Sequence, residues 1–297
     1  MKTKNGFATV CLLAMTLNAI SQVPGSMAFT IASCNTNDGG IICGGYDFEH
    51  GNTDYRVVYL DEYGNTRWDR TYGGDHEDEL STIHATSDGG FLLGGRSNSG
   101  ISGQKSQPVV GDHDFWVVKI DKRGEVEWDR TYGGNAKDNL VAIAELPDGM
   151  LVFAGYSDSR MSLFDRGGYD YMVVWTDASG NLLDQDRFGQ QGKDILTTLA
   201  LLSDRSLLLG GYSQTQNGKE FNLVKIDQNG DPAWNMKPGD ADGEFLHGEI
   251  AIEETDNGGF MVQSTNETTT RTMKFNRDGH RTREENVAQN LFPKEGN

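Results

Sequence analysis

The stretch Phe115-Trp-Val-Val-Lys-Ile-Asp121-Lys-Arg-Gly124 is one of five versions of a single phrase, in which β-formers are followed by Asp or Asn, two residues and Gly. The other versions end at Gly64, Gly180, Gly230 and, more loosely, Gly279. Successive glycines of the phrase are 60, 56, 50 and 49 residues apart, which is the period range of propeller blades. We therefore expect a single repeat domain rather than two unrelated domains.

Each repeat divides into four predicted strands. The first and second strands are joined by Asp-Gly-Gly or a variant of it, and the third and fourth by the Asp-x-x-Gly turn that ends the phrase. Asp and Gly suit these turns because tight hairpins need a positive φ and Asp accepts backbone hydrogen bonds. Four strands in each of five repeats predict an all-β fold, a five-bladed β-propeller of four-stranded antiparallel blades. The Asp-Gly-Gly turns or their variants are 38–40, 88–90, 148–150, 204–206 and 256–259.

The second repeat carries the pattern most clearly. It reads Thr86-Ser-Asp-Gly-Gly-Phe91 at its first turn and Trp128-Asp-Arg-Thr-Tyr-Gly-Gly134 on its fourth strand. With the phrase between them, this text resembles the repeat of secreted bacterial and archaeal DGG-repeat, kelch-like β-propeller proteins, and the resemblance covers residues 29–285. It implies a propeller fold, but it leaves the function open because such repeats occur in surface proteins of mostly unknown role.

A leader precedes the repeats. Two lysines stand before the apolar stretch 7–20, and Ser26 and Ala28 are small residues at the positions that a signal peptidase reads. We expect residues 1–28 to be a signal peptide and residues 29–297 to be a single β-propeller domain. A membrane anchor is the weaker alternative because the stretch is shorter than the roughly 20 apolar residues of a spanning helix. The protein is therefore expected to be secreted, periplasmic or at the cell surface.

The chain is strongly acidic. It has 44 Asp and Glu against 26 Lys and Arg, a formal net charge of −18. Nucleic acid is therefore not expected as a partner, because binding to phosphates depends on clustered Lys and Arg. We favour a solvated acidic surface over a functional cation site as the reason for this charge.

Two cysteines follow the leader, Cys34 and Cys43. A two-residue turn at 38–39 would place them opposite each other on a non-hydrogen-bonded pair, where the close approach of the Cα atoms suits a disulfide. A one-residue bulge at Gly40 would spoil that register. In an exported protein we favour the disulfide over two buried thiols.

A column of tryptophans recurs on the fourth strands. Trp68, Trp128 and Trp234 are better explained by packing between blades than by ligand binding. Repeat three has Asp184 at this position and repeat five has Arg283, so those blades are expected to pack differently. Asp165, Asp184 and Asp186 are the acids of repeat three that break the symmetry.

Function is expected on the face that carries the blade connectors and the loops between second and third strands, because variable loops more often carry recognition than tight turns do. The loops are 47–54, 97–114, 157–170 and 213–220. The second of these, the longest, is either a binding loop or a tolerated insertion.

The connectors of this face share an acid before an apolar strand: Asp78, Asp138, Asp194 and Glu244. A ring of carboxylates would bind a cation such as calcium or the hydroxyls of a sugar. The alternative, which recurrence favours, is that each carboxylate accepts hydrogen bonds from its own connector. His76 and His113 stand among acids and are further ligand-binding candidates, although a metal-ligand role is the less favoured interpretation for both.

No catalytic motif is present in the sequence, so no catalytic residue is assigned. We expect an exported, non-enzymatic binding module for a glycan or a protein, without an obligatory cofactor and with calcium as an optional ligand. A glycosidase-like enzyme with carboxylates at the axial mouth is one alternative, since such enzymes use two carboxyl groups. A structural surface protein is the other.

Overall fold

The computed structural model describes residues 29–49, 52–159, 168–189, 192–215, 218–237, 249–265 and 269–288. The predicted signal peptide lies outside these residues. The described parts contain strands and no helix, and so none of them forms a helix that could cross a membrane. The strands are β1 (Phe29–Asn35), β2 (Ile41–Glu49), β3 (Asn52–Leu60), β4 (Thr66–Tyr72), β5 (Asp78–Ala85), β6 (Phe91–Ser97), β7 (Asp114–Ile120), β8 (Val126–Tyr132), β9 (Asp138–Glu145), β10 (Leu151–Ser157), β11 (Asp170–Thr176), β12 (Leu182–Phe188), β13 (Lys193–Leu201), β14 (Leu207–Thr215), β15 (Gly218–Ile226), β16 (Pro232–Met236), β17 (Glu249–Glu254), β18 (Phe260–Thr265), β19 (Thr269–Phe275) and β20 (Arg281–Ala288).

The strands form five four-stranded antiparallel sheets, β1–β4, β5–β8, β9–β12, β13–β16 and β17–β20, each in chain order. The predicted fold class is therefore confirmed: the protein is all-β, with one blade for each sequence repeat. The chain divides into two compact units between Ile143 and Ala144, within β9.

In the first unit, the core surrounds the buried Trp116 of the second blade. The ring of Tyr55, from the first blade, lies 4.8 Å from the ring of Trp116. The Tyr55 hydroxyl donates a hydrogen bond of 3.0 Å to the Trp116 carbonyl oxygen. Gly95 makes this contact possible, because a Cβ there would lie 2.7 Å from the Tyr55 hydroxyl and would overlap the Glu79 carbonyl. A glycine of the second strand thus admits a side chain of the neighbouring blade.

The second unit repeats this contact. The Tyr171 hydroxyl of the third blade donates to the Asn222 carbonyl of the fourth at 3.4 Å. In the fourth blade the ring of Trp234 stacks on Phe260 of the fifth, with ring centroids 5.8 Å apart. Buried aromatic and aliphatic side chains therefore join successive blades within the unit.

The Asp-x-x-Gly turns are held by their own Asp, as the sequence predicts. Asp121 Oδ1 accepts hydrogen bonds from the backbone N–H groups of Arg123 and Glu125 at 2.7 and 2.9 Å. Gly124 has a φ of 79°, which glycine adopts without strain. The same turn recurs at Asp61, Asp177, Asp227 and Asn276.

The predicted disulfide is not formed, and Cys34 and Cys43 are free thiols. Cys34 pairs with Ile42 and Ser33 pairs with Cys43, because a turn of three residues, 37–39, joins the strands instead of two. One extra residue moves every side chain of a strand to the other face relative to its partner. The two sulfur atoms therefore lie on opposite faces, where burial raises the pKa of Cys34 to about 12 and that of Cys43 to about 11.

Two of the four expected variable loops are short hairpins. β2 continues to Glu49 and β3 begins at Asn52, so most of 47–54 is strand. Likewise β14 and β15 occupy most of 213–220. In the first hairpin Arg56 forms an ion pair with Asp47 at 3.1 Å, so this acid lies in a strand and is neutralised.

Candidate functional site

The connector acids are buried inside their own loops. Asp78, Asp138 and Asp194 are each 0% exposed. Gly74 N–H donates to Asp78 Oδ2 and Gly134 N–H donates to Asp138 Oδ2, both at 2.7 Å. Such bonds are expected if the carboxylates stabilise their own connectors and do not bind a ligand. None of the three carboxylates is presented at the surface. A ligand-binding role for these acids stays a prediction, and Glu244 lies outside the described residues.

Two of the buried acids of the second repeat lie against each other. A Cβ at Gly133 would lie 2.5 Å from oxygens of both Asp114 and Asp138, so the two carboxyl groups converge over this glycine. Burial, and after it the charge of the neighbouring Asp138, raises the pKa of Asp114 to about 6. Burial likewise raises the pKa of Asp78. At neutral pH these carboxylates are held in an unfavourable environment.

The two histidine candidates lie beside acids, His76 beside one and His113 beside two. The side chain of His76 is 62% exposed, and its Nδ1 lies 3.1 Å from Asp75. The side chain of His113 is 11% exposed, with Nδ1 2.9 Å from Asp112 and Nε2 3.7 Å from Glu77. Among the described residues, no three His, Cys, Asp or Glu side chains are grouped as a metal site would require. The ligand-binding role of both histidines stays a prediction.

The long loop of the second repeat, residues 98–113, is hydrogen-bonded along its length, and we call it the strap. Gln104 N–H donates to the Gly73 carbonyl at 3.0 Å, and Gly73 N–H donates back to Gln104 Oε1 at 3.1 Å. Ser102 Oγ donates to Asp75 Oδ1 at 2.9 Å. These bonds order the loop, and the choice between a binding loop and a tolerated insertion stays a prediction.

Lys105 anchors the strap in the second blade. The residue is 1% exposed, and its Nζ donates to Thr131 Oγ1 at 2.5 Å and lies 5.4 Å from the centre of the Trp116 ring. Burial lowers the pKa of Lys105 to about 8, against the opposite effect of nearby carboxylates that include Asp78 and Asp129. The strap therefore places a buried cation among buried acids.

Repeat three opens a groove where the tryptophan column is broken. In the first repeat Trp68 Nε1 donates to the Lys122 carbonyl of the next blade at 3.2 Å, and in the fourth Trp234 stacks on Phe260. Repeat three has Asp184 at this position, and a groove of about 190 Å³ lies beside it. We call it the Trp175 groove, and its main lining residues are Met150, Trp175, Leu183, Asp184, Arg205 and the turn 227–230.

Trp175 forms the aromatic wall of the groove. It is half-buried and pairs with Asp184 across β11 and β12, so the two side chains share a face of the sheet. A Cβ at Gly230 would lie 4.0 Å from the Trp175 ring, which brings the turn of the fourth blade beside the ring. Leu183 adds an apolar side chain that is 56% exposed.

The polar groups of the groove surround this wall. Asp184 is exposed, and its Oδ1 accepts from Gln185 N–H at 2.8 Å. Arg205 forms an ion pair with Asp148. Asp227 Oδ1 accepts from Asn229 N–H at 2.8 Å, as in the other turns of this kind. The arrangement can stack one ring of a ligand on Trp175 and bind its polar substituents, but it contains no activated nucleophile.

Arg205 breaks a second column. Gly39, Gly89, Gly149 and Gly258 occupy the corresponding turns with φ between 75° and 86°, whereas Arg205 has a φ of 67°. Among the described residues it is the only non-glycine residue with a positive φ. Such backbone strain concentrates at functional sites.

A larger groove of about 280 Å³ lies between the first and second blades. Its polar groups bind one another: the Tyr59 hydroxyl donates to Asp38 at 2.6 Å, and Arg67 pairs with Asp38 at 2.5 Å. The hydrogen bond from Thr36, followed by that from Tyr59, lowers the pKa of Asp38. Because Tyr59 is only 5% exposed, this groove offers little aromatic surface and is the weaker candidate.

The Trp175 groove lies at tight turns, those that hold Met150, Arg205 and Gly230, and not on the face of the connectors and variable loops where function is expected from the sequence. The sequence revealed only part of this groove. Asp184 and Asp186 were recognised as breaks in the symmetry, whereas Asp165 lies outside the described residues. Trp175 was missed, although it stands in a column that holds Tyr59, Lys119, Lys225 and Lys274 in the other repeats. Aligning that column would have identified it.

Comparison with known proteins supports the fold and names no family. No family model matches the chain, and no curated protein matches it. A protein from Lactobacillus plantarum is similar in structure, with a TM-score of 0.55 and 14% identity over 89% of this chain and 73% of that chain. At this identity the similarity shows a β-propeller-like fold alone.

Two further solved structures are more distant. A protein of unknown function from Bacteroides caccae has a TM-score of 0.49 and 12% identity, over 87% of this chain and 81% of that chain. Sqt1 from Chaetomium thermophilum has a TM-score of 0.48 and 14% identity, over 87% of this chain and 60% of that chain. Another structure shows Sqt1 bound to the N-terminus of the ribosomal protein L10. The resemblance to DGG-repeat proteins stays a prediction, while the propeller-like fold is shown.

Proposed function

We propose that the protein is an exported, non-enzymatic binding module that holds one ring of a glycan in the Trp175 groove. The observation that carries the proposal is the replacement of a blade-packing tryptophan by Asp184 beside the half-buried Trp175. The same repeat thereby gains an open groove and an aromatic wall.

The composition of the groove suits a sugar ring. Ligand sites combine apolar and aromatic walls with a few polar groups that fix orientation. The C–H face of a sugar would lie on Trp175, and its hydroxyls would donate to the carboxylate of Asp184. Arg205 and Asn229, which also line the groove, carry N–H donors. At about 190 Å³ the groove is below the roughly 300–1,000 Å³ of sites for drug-sized ligands, so one ring enters and the rest of a chain lies outside.

Binding to a glycan array, with calcium and then with chelator, tests the proposal. We expect saturable binding by the wild-type protein, loss of binding by Trp175→Ala, and retention by the control Tyr63→Ala, which removes an 80% exposed aromatic ring outside the groove. Loss of wild-type binding in chelator would assign calcium a role. A Trp175→Ala variant that binds as well as wild type would refute the site.

Restoring the repeat provides a sharper test. Asp184→Trp places a tryptophan where Trp68 and Trp234 pack in their blades, and should fill the groove without loss of stability. We expect this variant to unfold at the same or a higher urea concentration and to have lost glycan binding. Unchanged binding by the folded variant would show that the groove is not the site.

Export is part of the proposal and depends on the leader. Mass spectrometry of the protein from its native host should find a mature chain beginning at Phe29, after cleavage behind Ala28. An intact leader on a protein retained in the cytoplasm would contradict export without affecting the groove.

A glycosidase-like enzyme is the second candidate, and one observation favours it. Asp184 and Asp186 alternate on β12, which places their Cα atoms about 7 Å apart on one face. Burial, Asp184 and Asp231 raise the pKa of Asp186. Paired carboxyl groups in different environments are what glycoside hydrolysis needs. Release of reducing ends from any glycan bound on the array, abolished in Asp186→Asn, would establish the enzyme in place of the binding module.

A further inference from the structure

The carboxylates around the Trp175 groove outnumber the cations. Asp184 and Asp227 line the groove, and Asp186 and Asp231 lie close enough to each other for Asp231 to raise the pKa of Asp186. Within the described parts of the chain, none of these four acids has a salt bridge. Arg205, the one cation among the described residues of the lining, is paired with Asp148.

Two lysines of the fourth blade are paired with acids outside the lining of the groove. Lys225 pairs with Asp204 at 3.1 Å, and Lys237 pairs with Glu220 at 2.6 Å. The groove therefore combines an aromatic wall with an uncompensated negative charge. A ligand with an ammonium group would relieve that charge through a charge-assisted hydrogen bond to Asp184 and a cation–π contact with Trp175.

We infer that the groove selects a cationic amino sugar, a hexosamine whose amine is free, over its N-acetylated form and over neutral hexoses. This inference rests on the proposed function, because it names the class of glycan that the same site binds. Acetylation removes the positive charge and enlarges the substituent. Uronic acids and sulfated sugars are repelled by the carboxylates that attract the ammonium group.

The test compares three oligosaccharides of equal length and linkage, made of glucosamine, N-acetylglucosamine and glucose, by titration calorimetry at about pH 5.5, where a free amine is protonated. We expect the glucosamine oligomer to bind at least roughly tenfold more tightly than the other two, as one charge-assisted hydrogen bond implies. Raising the salt concentration from 0.05 to about 0.5 M should remove most of this preference because it screens partly exposed charges.

Matched variants distinguish a direct effect of the acids at the groove from a general effect of the net charge of the protein. In Asp184→Asn and in Asp186→Asn, the affinities for the glucosamine and N-acetylglucosamine oligomers should differ by less than about threefold. The affinity for the N-acetylglucosamine oligomer should stay that of the wild type. Asp158→Asn makes the same change at an exposed acid outside the groove and should leave the preference intact. An equal effect of all three variants would attribute the preference to net charge and overturn the inference.

The two proposals fail in distinguishable ways. Equal binding of the three oligomers, lost in Trp175→Ala, would overturn the selection of amino sugars and leave the glycan-binding function standing. Binding of none of them, together with no hit on the array, would overturn both. Binding of a Lys- and Arg-rich peptide in place of every glycan would also overturn both and assign the groove to a protein partner.

Discussion

Arg205 has a backbone conformation that four of the five repeats reserve for glycine. A left-handed conformation costs an L-residue about 1–2 kcal/mol. The ion pair that Arg205 makes with Asp148 offsets little of this conformational cost, because both side chains are at least 40% exposed. Exposed pairs contribute about 0–1 kcal/mol. The residue is better explained by a role in the groove than by a role in folding.

Arg205→Gly should therefore raise the free energy of unfolding by up to about 1 kcal/mol while weakening glycan binding. The control is Gly149→Ala at the same turn position of the third blade, where a Cβ would contact nothing within 4 Å. That substitution should lower the free energy of unfolding by about 1 kcal/mol through the backbone alone. Urea titration should show changes in the free energy of unfolding of opposite sign for the two variants. A destabilised Arg205→Gly would refute the strain argument.

Asp114 makes the stability depend on pH in an unusual direction. Its folded-state pKa of about 6, raised by burial and then by Asp138, lies above its ordinary value, so the folded protein holds a proton that the unfolded chain has released. This contribution to stability is complete at low pH and is lost as the pH rises from about 4 to about 6. Acids such as Asp121, whose pKa is lowered by backbone hydrogen bonds, act in the opposite direction and at lower pH.

Asp114→Asn should remove this dependence. The amide can accept from Val110 N–H, as Asp114 does, and donate to Asp138 without carrying a charge. We expect the variant to gain stability over wild type on the order of 2 kcal/mol at pH 7.5 and little at pH 4. Urea titrations at the two pH values measure this, and an equal change at both would show that the carboxyl group is not the titrating group.

The strap shows how one buried cation organises an element. Lys105 lies among Asp78 and Asp129, and removing the cation leaves these buried acids uncompensated. Lys105→Ala should cost about 3–5 kcal/mol of unfolding free energy, far more than Lys137→Ala, whose side chain is 47% exposed at Asp112. Similar losses in the two variants would mean that the acids find other partners.

The blades could be predicted from the sequence because each repeated column has one local cause. The turn aspartates, the positive-φ glycines and the third strands all recur, and the structure has all of them where the phrase Phe115 to Gly124 and its copies predict. The register of β1 and β2 could not be predicted, since the turns with two and three residues fit the same text around Gly39. Only the backbone decides between them.

The groove could not be predicted for a different reason. Repetition reveals what the blades share, whereas the site lies where two columns are broken together, at Trp175 and Asp184. Whether a missing tryptophan leaves a cavity depends on which side chains of the next blade fill its space. This is a property of packing rather than of either residue alone.

The net charge of the whole chain sets how stability responds to salt. With a formal charge of −18, repulsion among acids opposes folding, and exposed ion pairs contribute little stability. Sodium chloride should therefore raise the melting temperature, with most of the rise below about 0.3 M, where the Debye length has already fallen well under 10 Å. A protein stabilised mainly by its surface ion pairs would show the reverse, a melting temperature that falls as salt is added.

Calcium can be separated from this general screening. The described residues contain no group of three acidic or other metal-ligating side chains, so these parts of the chain offer a divalent ion no preformed binding site. We expect calcium and magnesium chlorides at equal ionic strength to raise the melting temperature by the same amount, because both act through charge screening. A rise specific to calcium that saturates at micromolar to millimolar concentration would instead show binding to the native state. It would direct the search for the ligands to the connector acids, with Asp194→Asn as the first variant, because Asp194 is fully buried and accepts a hydrogen bond from Ser213.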